Sequence, residues 1–179
     1  MVVLSIASIG LFFLFGFGVT WLMSFIRPEI IQIGFDFSIG AGGFGSLMLF
    51  LITILGITLV MVFVHEAVHG VFFKAFTGGK IKYGVKGMYA YAAAPDWYIS
   101  KLPYMVISLA PLVTITLLCL VAILVVPKDW FLPFFLLLTM NGSGAAGDIY
   151  VFFWLFGQRG DVLIQDFGDR MKLFAPGES

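Results

Sequence analysis

Four long apolar runs, separated by short clusters of charged residues, glycine and proline, organise this chain. From Val2 to Ile26 there is no charge, over a length that exceeds the roughly 20 residues needed to cross a hydrocarbon core, until Arg27 and Pro28 stop the run. A second run from about Phe44 passes without a breaker through His65-Glu66-Ala67-Val68-His69 to Phe76, where Thr77-Gly78-Gly79 ends it. A third covers about Leu102 to Val126, with Pro103 near its start and a kink expected at Pro111. The fourth extends from about Trp130 to Phe156. The pattern predicts an all-α integral membrane protein with about four transmembrane helices, at 2–26, 44–76, 102–126 and 130–156. The first run has no basic leader, short apolar core or small-residue cleavage site, so it reads as a retained span rather than a signal peptide.

Between the second and third runs the period changes. Ile81, Tyr83 and Val85 alternate with Lys80, Lys82, Gly84 and Lys86, and Met88-Tyr89-Ala90-Tyr91 follows Gly87. This predicts a short cytoplasmic β-hairpin. Its exposed edge, with Tyr83 and Val85, would hold an extended substrate by strand addition. The alternative is a lipid-surface loop with snorkelling lysines and interfacial tyrosines. Residues 1–156 then form one transmembrane domain, and 157–179 a polar cytoplasmic tail without a catalytic constellation.

Composition agrees with lipid as the solvent: 61% of the 179 residues are hydrophobic and only 11% charged, against about a quarter charged in soluble domains. Ten basic and ten acidic residues cancel, which leaves no basic stripe for nucleic acid. The single cysteine, Cys119, excludes an intrachain disulfide. Basic residues also orient the chain. With four crossings, Lys74, Lys80, Lys82, Lys86, Lys101, Arg159, Arg170 and Lys172 fall on one side and only Arg27 and Lys128 on the other. Both termini are therefore expected in the cytoplasm, in a membrane taken as the plasma membrane of a prokaryote.

Chemistry is concentrated in the second run. Histidines four apart on a helix lie about 40° apart around its axis, so His65 and His69 can reach one metal ion with Glu66 beside them. The spacing suits Zn2+, which lowers the pKa of bound water to about 7 so that a carboxylate can take its proton. Glu66 is the expected general base. A packing histidine is the commoner use of a lone imidazole on an apolar helix. Here, however, all the histidines of the chain fall in the motif, and two imidazoles and a carboxylate in a membrane helix cost several kcal/mol without a compensating partner. A third ligand is expected. No histidine follows His69, and the only later glutamate, Glu178, is next to last. Asp148, in Asn141-Gly142-Ser143-Gly144-Ala145-Ala146-Gly147-Asp148, is the one acidic residue within the fourth run. At 1.5 Å per residue it lies roughly 27 Å below Trp130, and the motif roughly 34 Å below Phe44, so the two match in depth near the cytoplasmic face. Close helix packing accounts for the glycines of this stretch but not for the aspartate. Asp96, Asp161, Asp166 and Asp169 fall in the loop or tail, where solvation explains them.

The run HEAVHGVFFKAF, the stretch Lys-Tyr-Gly-Val-Lys and NGSGAAGD resemble the DUF3267 zincin-peptidase family. HEAVHG in one membrane helix with an aspartate in a later one is similar to the site-2-protease type of intramembrane zinc metalloprotease. The resemblance implies a zinc site of His65, His69 and Asp148, with Glu66 catalytic. Site-2 proteases often place an asparagine near the scissile carbonyl in an Asn-x-x-Pro segment before Asp-Gly. Asn141, seven residues before Asp148, is the candidate for that position, but the proline is absent and Ile149 replaces the glycine; the alternative is that Asn141 pins helices together by hydrogen bonds.

The expected function is an intramembrane zinc metalloprotease that hydrolyses peptide bonds within or next to a substrate transmembrane segment, with zinc-bound water as nucleophile. Its partners would be the lipid bilayer and a membrane-protein or membrane-peptide substrate. The alternative is a non-proteolytic zinc-binding scaffold or regulator, for which a general base has no use. A transporter is disfavoured by four spans, one polar cluster and no repeat pair.

Overall fold

The computed structural model describes residues 2–31, 43–87 and 89–175. Met88 of the expected hairpin and Glu178 lie outside the described residues. Helix α1 is Val2–Ile26 and is followed by one turn, α2, Pro28–Ile31. Helix α3, Gly43–Thr77, carries the HEAVH segment without interruption. It ends where Gly78 takes φ +69° and Lys74 Nζ donates to the carbonyls of Gly78 and Gly79, both at 2.9 Å. Strands β1, Lys82–Lys86, and β2, Tyr89–Ala93, form the expected antiparallel hairpin, with Tyr83 opposite Ala92 and Val85 opposite Ala90. Strand β3, Ile99–Ser100, leads into α4, Lys101–Val125, which continues through Pro111.

Helices Val2–Ile26, Leu47–Thr77 and Lys101–Val125 are long and apolar enough to cross a membrane, and most of their large apolar side chains are exposed, as a lipid solvent requires. The chain is a membrane protein by this measure. The fourth run is not one helix. It divides at Ala145 into α5, Phe131–Gly144, and α6, Ala146–Phe156. Gly142, Gly144 and Gly147 surround the break, and glycine costs about 1 kcal/mol relative to alanine in a helix interior.

The segment expected as a plain tail is folded. Strands β4, Leu163–Asp166, and β5, Met171–Phe174, form a second hairpin that adds to β3 as a three-stranded antiparallel sheet in the order β3-β4-β5. Gly168 makes the tight turn at φ +85°.

The chain divides into two compact units. The first comprises Met1–Met61 and Thr116–Gly144. In it, α1 and α5 pack through small residues. The Phe15 ring lies over Gly142, where a Cβ would come within 2.5–2.8 Å of it, and Ser143 Oγ donates to the Ser8 carbonyl at 3.0 Å. Arg27 donates to the carbonyls of Ile123 and Val126, both at 2.8 Å, and so caps the end of α4. The second unit comprises Val62–Ile115 and Ala145–Ser179. Its core joins Phe73 of α3, Ala92 of β2, Ile99 of β3, Tyr104 and Ile107 of α4, Leu155 of α6 and Ile164 of β4.

Candidate metal centre

Within the second unit, three candidate ligands from two helices converge. His65 and His69 are one helical turn apart on α3, with ring centroids 5.0 Å apart. Asp148 is the third residue of α6, in its first turn, where the helix dipole favours a carboxylate. His65 Nε2 is 3.0 Å from Asp148 Oδ2, and His69 Nε2 is 3.4 Å from Asp148 Oδ1. The ligand-type atoms of the three all lie within 4.8 Å of one another, and both histidines are buried.

The donor set fits zinc. Two ligands each about 2.1 Å from one tetrahedral ion stand ~3.4 Å apart, close to the two histidine–aspartate separations. Proton positions point the same way. His69 Nδ1 is 3.0 Å from the Ile107 carbonyl, an acceptor only, so Nδ1 carries a hydrogen and donates it. With Nδ1 engaged in this way, Nε2 is the ring atom that faces Asp148. An Nδ1–H fixed by a carbonyl is also the usual support of an Nε2 metal ligand.

The Ile107 carbonyl is available because of α4's own sequence. In a regular helix it would accept the N–H of the residue four positions later. That residue is Pro111, which has none.

Glu66 lies between the two histidines in sequence and faces the first hairpin. Its Oε2 accepts the amide N–H of Ala92 at 2.7 Å. Since strand N–H groups alternate in direction, Ala92 and Ala90 turn theirs away from β1, and the outer edge of β2 faces Glu66. The substrate-contact expectation at Tyr83 and Val85 concerned β1. There the Tyr83 hydroxyl packs against Gly70 of α3, and Val85 is 70% exposed. Asn141 is 0% exposed in α5, within the first unit.

Asp166 corrects the expectation of a solvated aspartate. It is only 9% exposed, accepts the Tyr104 hydroxyl at Oδ2 (2.6 Å) and accepts the Gly168 amide at Oδ1 (2.7 Å). Burial raises its carboxyl above the ordinary range, against the pull of those two donors and of His69. One residue beyond the same turn, Asp169 pairs with Lys86 of β1, and the Tyr91 ring of β2 lies against Gly168. The second hairpin therefore touches α4 on one side and the first hairpin on the other. Ala92, Ile107, Tyr104 and Asp166 escaped the sequence reading. The first two act through backbone atoms, which carry no residue signature, and the other pair meets only across 62 positions.

An apolar groove of about 780 Å³ opens beside the centre, lined along α4 by Leu102, Met105, Leu109 and Val113. Phe72, three residues after His69, and Phe152, four after Asp148, close its wall.

These features make the cluster a candidate metal site in a membrane protein. The sequence profile of the family DUF3267, described as "Putative zincin peptidase", matches residues 58–162, more than half the chain, and the protein belongs to that family. The matched stretch includes His65, Glu66, His69 and Asp148. The family description implies a zinc-dependent peptidase. No curated protein and no solved structure matches the chain.

Proposed function

We propose that this protein is an intramembrane zinc endopeptidase that cleaves within or beside the transmembrane segment of a membrane-embedded substrate. The observation that carries the reading is a carboxylate, Glu66, beside two imidazoles that share one aspartate, with its Oε2 engaged by the Ala92 amide. His65, His69 and Asp148 would hold zinc, which supplies Lewis acidity and lowers the pKa of water at an open position. Glu66 takes the proton of the attacking water and passes it to the leaving amine. With Oε2 held by Ala92, Oε1 is the oxygen for this transfer. His69 is fixed in orientation by Ile107 and does not move a proton.

The substrate arrives from the side, through lipid, along the apolar groove beside α4. It is held extended on the outer edge of β2, where Ala90 offers the next backbone groups beyond Ala92. A transmembrane helix must unwind locally to lie there, so glycine or polar residues in the substrate segment favour cleavage. In this reading α5 and α6 together complete a fourth crossing, residues 1–156 form the membrane domain, and both termini are cytoplasmic in a prokaryotic plasma membrane.

The test is reconstitution with single-span substrates carrying helix-destabilising residues. Wild type should cleave, whereas Glu66→Gln and chelated protein should fall by roughly two or more orders of magnitude, with zinc retained in the variant. Zinc-replete wild type that cleaves none of them would assign the protein to a non-proteolytic zinc scaffold instead.

A further inference from the structure

We propose that Pro111 is a positioning residue for the metal centre: by withholding an N–H from the Ile107 carbonyl, it reserves that carbonyl for His69 Nδ1. The inference rests on the metal reading of His65, His69 and Asp148.

Four facts combine in it. Ile107 and Pro111 are four apart inside the uninterrupted helix α4. The His69 Nδ1–Ile107 oxygen distance is 3.0 Å, and Ile107 and Pro111 are both fully buried, so water cannot substitute for either partner. The bond selects the tautomer that leaves Nε2 bare, and Nε2 is the atom that faces Asp148 at 3.4 Å. At any other residue type, the backbone N–H of position 111 would share the same oxygen, and the bond that fixes the His69 ring would weaken. A proline in a helix interior costs about 3 kcal/mol relative to alanine in a bare helix. Here the missing bond is replaced by one from a side chain of another helix, as happens at prolines in membrane helices.

If Pro111 served only to shape α4, its replacement would change stability, and zinc binding would follow stability. The proposal requires the two to separate. In Pro111→Ala, the helix gains an internal hydrogen bond, so thermal stability holds or rises, while zinc affinity drops by about tenfold to a hundredfold, the usual loss when a ligand's outer partner is removed. Zinc affinity is measured by competition with a chromogenic chelator in detergent. The His69 tautomer is read independently from the 15N shifts of its ring in metal-free protein, where wild type should show a protonated Nδ1 and the variant a mixture. Pro103→Ala is the control, because Pro103 lies in the first turn of α4, where no intrahelical donor is required. It should leave both readouts at wild-type values.

Wild-type zinc affinity together with an unchanged His69 tautomer in Pro111→Ala would overturn the proposal, as would a loss of affinity that merely tracks loss of stability. If Pro111→Ala does not fold, Pro111→Gly restores the same N–H and is judged by the same readouts. Failure of both to fold would assign Pro111 a structural role and end the proposal. Absence of zinc binding in wild type would instead remove the metal reading, and the tautomer measurement would still report on Pro111.

Discussion

Glu66 Oε2 accepts the amide hydrogen of Ala92 at 2.7 Å, which ties the expected general base on α3 to the outer edge of β2. A backbone donor holds a carboxylate without bringing a side chain into the space a substrate needs. Ala92→Pro removes this N–H and spares the ladder, because the amide points away from β1. Hydrolysis should fall by roughly tenfold or more, with zinc content unchanged, as expected when a charge-assisted hydrogen bond of about 1.5–3 kcal/mol is lost from a reacting group. Turnover and metal analysis on the same sample check this. Loss of zinc in parallel would show that the strand supports the ligands rather than the base.

His65, His69 and Asp148 should each be required for stoichiometric zinc. Alanine at any of the three should sharply reduce bound metal measured by atomic absorption, whereas Asp161→Ala, at an exposed position, should not. Full zinc retention in Asp148→Ala would remove it from the ligand set. Asp166 is unsuitable as a neutral control, since it is buried and bonded to Tyr104.

Two aspartates in one hairpin should respond to pH with opposite signs. Hydrogen bonding to Lys86 lowers the Asp169 carboxyl and raises the Lys86 ammonium. The Asp169 contribution is therefore present above the ordinary carboxylate pKa of about 3.9 and is lost as pH falls through the lowered folded value. Burial raises Asp166, so its contribution is complete below the ordinary value and declines as pH rises toward the raised folded one. Thermal unfolding across pH 3–7 (about four units spanning the carboxylate range) should show wild type gaining on Asp169→Asn with rising pH and losing ground to Asp166→Asn. Parallel curves would mean that the two groups share one environment.

The lysine and arginine distribution, eight against two under four crossings, requires a reporter fused after Ser179 to read as cytoplasmic. A reporter placed between Lys128 and Trp130 should read as external. If the Ser179 fusion is external, α5 and α6 do not together make one crossing.

The sequence by itself determined the solvent, the long apolar helices, the first hairpin and the residues that can bind a metal. Each is written in local spacing: uncharged runs long enough for a bilayer, alternation from Ile81 to Val85, and two histidines one turn apart. Asp148 was also legible, because an acidic residue in an apolar run has few other uses. The division of the fourth run at Ala145 was less so, since glycines that weaken a helix also serve close packing, as Gly142 does under Phe15. Only the tertiary structure decided that 163–174 is a hairpin completed by β3, and that Asp166 is buried against Tyr104 rather than solvated. It alone brought the Ala92 amide to Glu66 and the Ile107 carbonyl to His69. Every residue but proline carries both groups, so their roles depend on where the chain places them. Pro111 stands between the two kinds of information: its missing N–H is fixed by the sequence, but which side chain uses the freed carbonyl is fixed by packing.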